Sequence, residues 1–99
     1  HSLAFNDISP QAKVHVLAIT KGSYTDVDDF SKKASKDEIS YLMQAVAEVC
    51  KINKLSLSEG GNGFRLIANT GSDGSQEVRH FHFHVMGGEP MGLRGLRKS

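Results

Sequence analysis

One cysteine, Cys50, is all the thiol chemistry this chain has, so an internal disulfide is excluded. A lone thiol suits a reducing compartment, and a cytoplasmic setting is expected. There is no Cys-x-x-Cys pair to begin a familiar zinc site. No apolar run approaches the ~18 residues of a bilayer-spanning helix, and no secretory leader is visible, so no membrane partner is expected. Charge of one sign is not in surplus either. The 12 basic and 11 acidic residues leave a formal net charge of +1. Nucleic-acid binding by bulk charge is therefore not expected, although a local basic tail exists in Arg94, Arg97 and Lys98. Repeats, low-complexity tracts and linkers are lacking too, so residues 1–99 read as a single small domain. A domain of this size buries only a little over ~60% of its unfolded surface, and a second copy is a natural supplement. The chain starts at His1 and enters directly on Leu3-Ala4-Phe5, which leads us to expect a missing upstream segment.

What is present reads as an alternation of strands and one strong helix. Residues 2–6 suggest a short strand. Asp7-Ile8-Ser9-Pro10 is a turn, because Asp and Ser satisfy nearby backbone groups and Pro10 keeps Ser9 out of a helix. Residues 14–19, Val-His-Val-Leu-Ala-Ile, are short, largely β-branched and closed by Lys21-Gly22, as a buried strand should be. Asp26 to Lys33 is a candidate short helix. Ser35 then precedes Glu38 by three residues, the spacing of a capping box. Ile39, Leu42, Met43, Val46, Val49 and Cys50 follow at helical spacing and predict a helix from 36 to 53. That stripe is a core face, Met43 and Cys50 included. Gly60, Gly61 and Gly63 mark a loop, Phe64–Asn69 a strand, Thr70–Ser75 a polar loop, and Val78–Met86 a last strand ended by Gly87-Gly88. The order predicts an α+β fold, an antiparallel sheet packed with one long helix.

The chemistry is concentrated in that last strand. Strand side chains alternate between faces, so His80, His82, His84 and Met86 are expected on one side and Phe81, Phe83 and Val85 on the other. The aromatic side needs a buried partner, most simply the long helix, which leaves the histidines on an open surface. Packing does not explain three imidazoles in a row, and two kinds of chemistry do. Same-face histidines two apart can chelate zinc at ~2.0–2.1 Å, with His15 as a further donor, although no carboxylate at a familiar spacing completes the shell. Alternatively the imidazoles react themselves: histidine titrates near neutrality, attacks phosphorus when neutral and donates to phosphate oxygens when protonated. The loop just before them, Asn69-Thr70-Gly71-Ser72-Asp73-Gly74-Ser75-Gln76, offers N–H groups and small polar side chains to an anion and favours the second kind.

His80-Phe81-His82-Phe83-His84-Val85-Met86 resembles the His-x-His-x-His-x-x signature of histidine triad (HIT) proteins, with a hydrophobic residue at every x. The run from Ala4 to Ala12, then His15, then Asn69-Thr70-Gly71-Ser72-Asp73-Gly74, Gln76 and Gly87-Gly88 are similar to the nucleoside phosphoramidase branch, often called Hint, over most of residues 3–91. The resemblance implies a HIT-like α+β subunit that pairs into a homodimer through a continuous sheet and the long helix. It implies hydrolysis of phosphorus–nitrogen or related bonds in purine nucleoside monophosphate derivatives, through a nucleotidyl-histidine intermediate. His82 would be the nucleophile and His84 would bind a phosphate oxygen. His80 would help fix the imidazole network, and His15 would lie near it. Asn69 and the backbone around Glu77 and Val78 would hold the phosphate, Asp7 would accept the ribose hydroxyls, and Phe5, Ile8 and Leu17 would border the base. No cofactor is required if the histidines supply the donors; zinc is admitted but not favoured. Glu77 departs from the serine that some Hint proteins carry, and the tail from Met91 lacks the aromatic and prolines of some relatives. Besides a hydrolase, a metal protein built on His80, His82, His84 and His15 and a non-catalytic nucleotide-binding platform remain open readings.

Overall fold

The computed structural model describes residues 2–92, so the basic tail lies outside the described residues. Its elements are β1 (Ser2–Asn6), β2 (Val14–Thr20), α1 (Val27–Lys33), α2 (Lys36–Ile52), a single 3-10 turn at Leu57–Glu59, β3 (Phe64–Ile67) and β4 (His82–Gly87). The strands form one four-stranded sheet in the order β1-β2-β4-β3. Every neighbouring pair is antiparallel, as the sequence order suggested.

Helix α2 begins where its cap chemistry says it should. The Ser35 hydroxyl accepts from the Glu38 N–H and the Glu38 carboxylate accepts from the Ser35 N–H, so two otherwise orphaned donors are satisfied. Leu42, Val46, Val49 and Cys50 of its stripe are buried, while Ile39 and Met43 stay partly exposed. The buried residues pack on one face of the sheet, against Val16, Ala18 and Val85. The aromatic side chains of the histidine segment lie on this same side. Phe81 meets Phe30 of α1 at 4.8 Å between ring centroids, and Phe83 at 5.2 Å. The short helix therefore shares the covering role expected of the long one alone. Gly87 closes β4 beneath Leu55, where a Cβ would stand 2.8 Å from a Leu55 methyl carbon.

Two strand boundaries differ from expectation. β3 stops at Ile67 rather than Asn69, because Asn69 turns its amide into the following loop and donates to the Gly74 carbonyl. β4 starts at His82 rather than Val78. Residues 78–80 are a bend, fastened sideways to the chain leaving β2 instead of continuing the ladder.

Candidate active site

The sheet face turned away from α2 carries the histidines, and the strand register sets which residues stand beside them. Residues directly opposite in an antiparallel pair share a face. One row across the sheet is Phe5, Leu17, His84 and Ile67; the next is Leu3, Ile19 and His82. In the row beyond, on the same face, His15 stands opposite Met86. The two histidines of β4 thus sit beside an apolar ledge. Phe5 is 48% exposed on it, whereas Ile8, in the turn beyond β1, is 99% exposed.

The turn between β1 and β2 folds back over His15 and buries it. Asp7 makes an Asx turn, its carboxylate accepting from the Ser9 N–H at 2.8 Å. The Gln11 N–H then donates to His15 Nδ1 at 3.1 Å. This backbone donor determines where the protons of the cluster lie. His15 Nδ1 must accept, so a neutral His15 carries its proton on Nε2. That Nε2–H faces His84 Nδ1 at 2.9 Å, which makes His84 Nδ1 an acceptor too. Neutral His84 therefore holds its proton on Nε2. Asp7 stands 3.5 Å from His15 Nε2 and shares the same proton's field.

His82 is fixed independently. Its Nδ1 lies 2.8 Å from the His80 carbonyl oxygen. A carbonyl only accepts, so Nδ1 carries the proton and Nε2 of the neutral ring keeps its lone pair. The rings of His82 and His84 approach to 4.9 Å, and those of His84 and His15 to 5.1 Å. Burial pushes His84 down from 6.5 to about 4, with His82 and then His15 adding to the shift and Asp7 opposing it. Burial also lowers His15, against the pull of Asp7. His84 is thus uncharged at neutral pH, a single-proton donor through Nε2.

The first histidine of the triad behaves differently. His80 lies in the bend before β4, and its Nε2–H donates to the Thr20 carbonyl at 3.2 Å. The ring contacts run His82–His84–His15, while His80 contributes its carbonyl to His82 and its ring to anchoring that carbonyl. The polar loop also has a different part from the one expected. The N–H groups of Gly71, Gly74, Ser75 and Gln76 are bonded within the loop, to Gln76 Oε1 and to the carbonyls of Thr70, Ser72 and Gly71. The glycine-rich stretch is a closed, self-bonded unit. Glu77 and Val78, which follow it, are exposed with Val78 at 61%. Gln11, Thr20 and Tyr24 act here through main-chain groups, which no side-chain pattern signals.

Asp7, His15 and His84 offer ligand atoms within 4.8 Å of one another, as a cation would require. The donor types suit zinc, but the spacing does not fit it unaltered. Two nitrogens on one tetrahedral zinc at ~2.0–2.1 Å stand roughly 3.3 Å apart, and His15 Nε2 and His84 Nδ1 are at the 2.9 Å of a hydrogen bond. A cation there would have to break that bond.

An α+β subunit with a chain of imidazoles beside an apolar ledge on one sheet face defines a small domain built around a histidine cluster. Residues 1–91 match the HIT domain family, and the chain belongs to it. It is 46% identical over 92 residues to a HIT-like protein of Azospirillum brasilense, covering 93% of this chain and 72% of that one. It is 42% identical over 91 residues to the purine nucleoside phosphoramidase of Escherichia coli K12, covering 90% of this chain and 71% of the enzyme. Among solved structures, a histidine triad protein from Clostridium difficile superposes with a TM-score of 0.77 at 35% identity, covering 90% of this chain and 73% of that one. A HIT family hydrolase from Legionella pneumophila gives 0.73 at 31%, covering 91% and 76%. These relatives support a hydrolase at the level of the family. No helix among the described residues is long and apolar enough to cross a membrane.

Proposed function

We propose that the chain is a nucleoside phosphoramidase-type hydrolase that cleaves phosphorus–nitrogen bonds of purine nucleoside monophosphate derivatives through a nucleotidyl group on His82. The observation that carries this reading is the hydrogen bond from His82 Nδ1 to the His80 carbonyl. It leaves Nε2 as the one nucleophilic nitrogen of the ring and aims it away from the strand backbone. Attack forms a bond between Nε2 and phosphorus as the bond from phosphorus to the leaving nitrogen breaks, that nitrogen taking a proton from solvent water and departing as an amine. The ring then carries both phosphorus and a proton and is cationic. Its Nδ1–H···O=C bond strengthens as that charge develops, which favours the transition state over the ground state. Water next attacks phosphorus and yields a proton to solvent as the bond to Nε2 breaks; the monophosphate leaves and His82 returns to neutral imidazole.

His84 has the complementary part. Its Nε2–H is held ready by the His15–Gln11 chain and can donate to a non-bridging oxygen without a change of protonation state. Asp7 is the carboxylate for the ribose hydroxyls, and the Phe5–Leu17 row gives a flat apolar support for a base. No metal is required, since the imidazole protons supply the donors. The similarity to the E. coli phosphoramidase supports the substrate class. We also infer a homodimer: β3 is an edge strand with Phe64 43% exposed, a surface that a second copy can extend and cover.

The test is a trapped covalent adduct. Brief incubation with adenosine 5′-phosphoramidate and quenching in alkaline denaturant, which spares the acid-labile phosphorus–nitrogen bond, should leave one adenylyl group on His82, located by mass spectrometry. His82→Asn should lose adduct and turnover while still binding adenosine monophosphate. Turnover at the wild-type rate in that variant would end the nucleophile assignment.

A further inference from the structure

We propose that Gln76 is a positioning residue that latches the segment leading into the histidine strand onto the start of α1. Its side-chain amide is used at three points. The Gly71 N–H donates to Oε1 at 2.9 Å, while Nε2 donates to the Thr25 carbonyl at 2.5 Å and to the Val78 carbonyl at 3.1 Å. The orientation of the amide is forced, because an N–H must face the oxygen and two carbonyls must face the nitrogen. The Gln76 N–H also returns to the Gly71 carbonyl, so the loop from Gly71 to Gln76 is sealed at its base by a double bond pair.

The anchor is itself well held. The Thr25 N–H donates to the Asp29 carboxylate, which also pairs with Lys33 at 2.8 Å. The Asp29 N–H donates to the N-cap Asp26 at 2.7 Å. Gln76 is the first of three links between residues 76–81 and residues 20–25; the Phe81 N–H donates to Tyr24 at 2.7 Å and the His80 ring donates to Thr20. These links replace the strand ladder that ends at His82. They hold both the backbone at Glu77 and Val78 and the His80 carbonyl that orients His82. Only Gln76 ties the closed loop into this row, through an amide that touches nothing reactive.

The role rests on the proposed phosphoryl chemistry, and it predicts a split that a general loss of folding would not produce. Gln76→Ala should melt as the wild type does and bind adenosine equally well. It should bind adenosine monophosphate more weakly and form the covalent adduct more slowly, by about tenfold to a hundredfold, as expected for a small misplacement of reacting groups. Gln76→Glu keeps an oxygen for Gly71 but sets a carboxylate against two carbonyls, and it should be no better than Gln76→Ala at neutral pH. Its rate relative to wild type should rise on acidification, as the protonated carboxyl regains a donor. Amide exchange at Phe81, followed by NMR, should accelerate in both variants. If the wild type forms no adduct, the phosphoramidase reading fails, and exchange and monophosphate affinity alone decide the latch. Wild-type exchange at Phe81 and wild-type monophosphate affinity in both variants would overturn it.

Discussion

Acid should destabilise this fold through His84 before it reaches the ordinary carboxylates. In the unfolded chain the ring takes up a proton as the pH falls through 6.5, whereas in the folded chain it does so only at about 4. Between those values the unfolded state binds more protons, so stability rises with pH and is lost as pH drops through that window. A shift of this size corresponds to about 3 kcal/mol at full effect. Solvent reaches part of the ring and screens it, so about 1–2 kcal/mol is the expected loss. For a domain of this length that is a fall of about 5–15 °C in Tm. Urea denaturation from about pH 7 to about pH 4.5, on wild type and His84→Asn, isolates the effect, because other titrating groups act in both. The wild type should lose more by the stated amount. NMR of the imidazole protons should place the His84 midpoint well below 6.5, and His82→Asn should move it upward by removing the neighbour whose charge holds it down. Equal pH slopes in the two proteins, or a His84 midpoint near 6.5, would refute the buried neutral chain.

Three further outcomes follow from particular contacts. Ser35→Ala removes the acceptor for the Glu38 N–H and should cost about 1 kcal/mol, read as a Tm lower by about 4–8 °C with activity per folded molecule unchanged. Gly74→Ala places a Cβ 2.4 Å from the Thr70 oxygen, so the closed loop must open; turnover should fall more than about tenfold while the melting temperature moves little, because the strain is relieved locally. Exhaustive chelation should leave turnover of the purified protein unchanged, whereas added zinc should inhibit by competing for the His15–His84 bond, and a chelator-sensitive rate restored by zinc would reverse the metal assignment.

How far the sequence could be read depended on whether a feature is local. The α2 cap needs only Ser35 and Glu38 three apart, and the stripe only a helical period, so the cap, the helix and the buried Leu42, Val46, Val49 and Cys50 were legible, while Ile39 and Met43, expected in the core, are exposed; the predicted end at 53 lies one residue past the observed one. The split between the Phe81–Phe83–Val85 side and the histidine side was legible for the same reason. Alternation gives the faces of a strand but not the point where pairing stops. The bend at 78–80 depends on carbonyls of Thr20, Tyr24 and Thr25, some fifty residues away. His15 was visible as a candidate member of the cluster, as a possible further metal donor and through the family pattern, but not its place in it. Its place beside His84 follows from the register Leu17↔His84 together with the turn that lays Gln11 over the ring. The loop from Asn69 to Gln76 was read as an anion cradle from its composition. In the fold its N–H groups at Gly71, Gly74, Ser75 and Gln76 are spent internally, a fact that composition does not carry.

The arrangement of hydrogen bonds explains how so small a sheet fixes the tautomers of its histidines. Both fixed points of the imidazole system are backbone groups: the Gln11 N–H at one end and the His80 carbonyl at the other. Neither titrates, so neither tautomer depends on pH while the rings stay neutral. The Gln11 end propagates through His15 to leave a donor on His84, and the His80 end leaves a lone pair on His82. An N–H donor on His84 and a free lone pair on His82, the pair that the proposed reaction uses, therefore stand on rings 4.9 Å apart with no proton transfer between them beforehand. Burial of His84 protects that state, since charging it would add a cation beside His82 and reverse its donor geometry at Nδ1. The three histidines are oriented from two sides: His80 holds the backbone from which His82 takes its orientation, and His84 draws its own from His15 on the neighbouring strand.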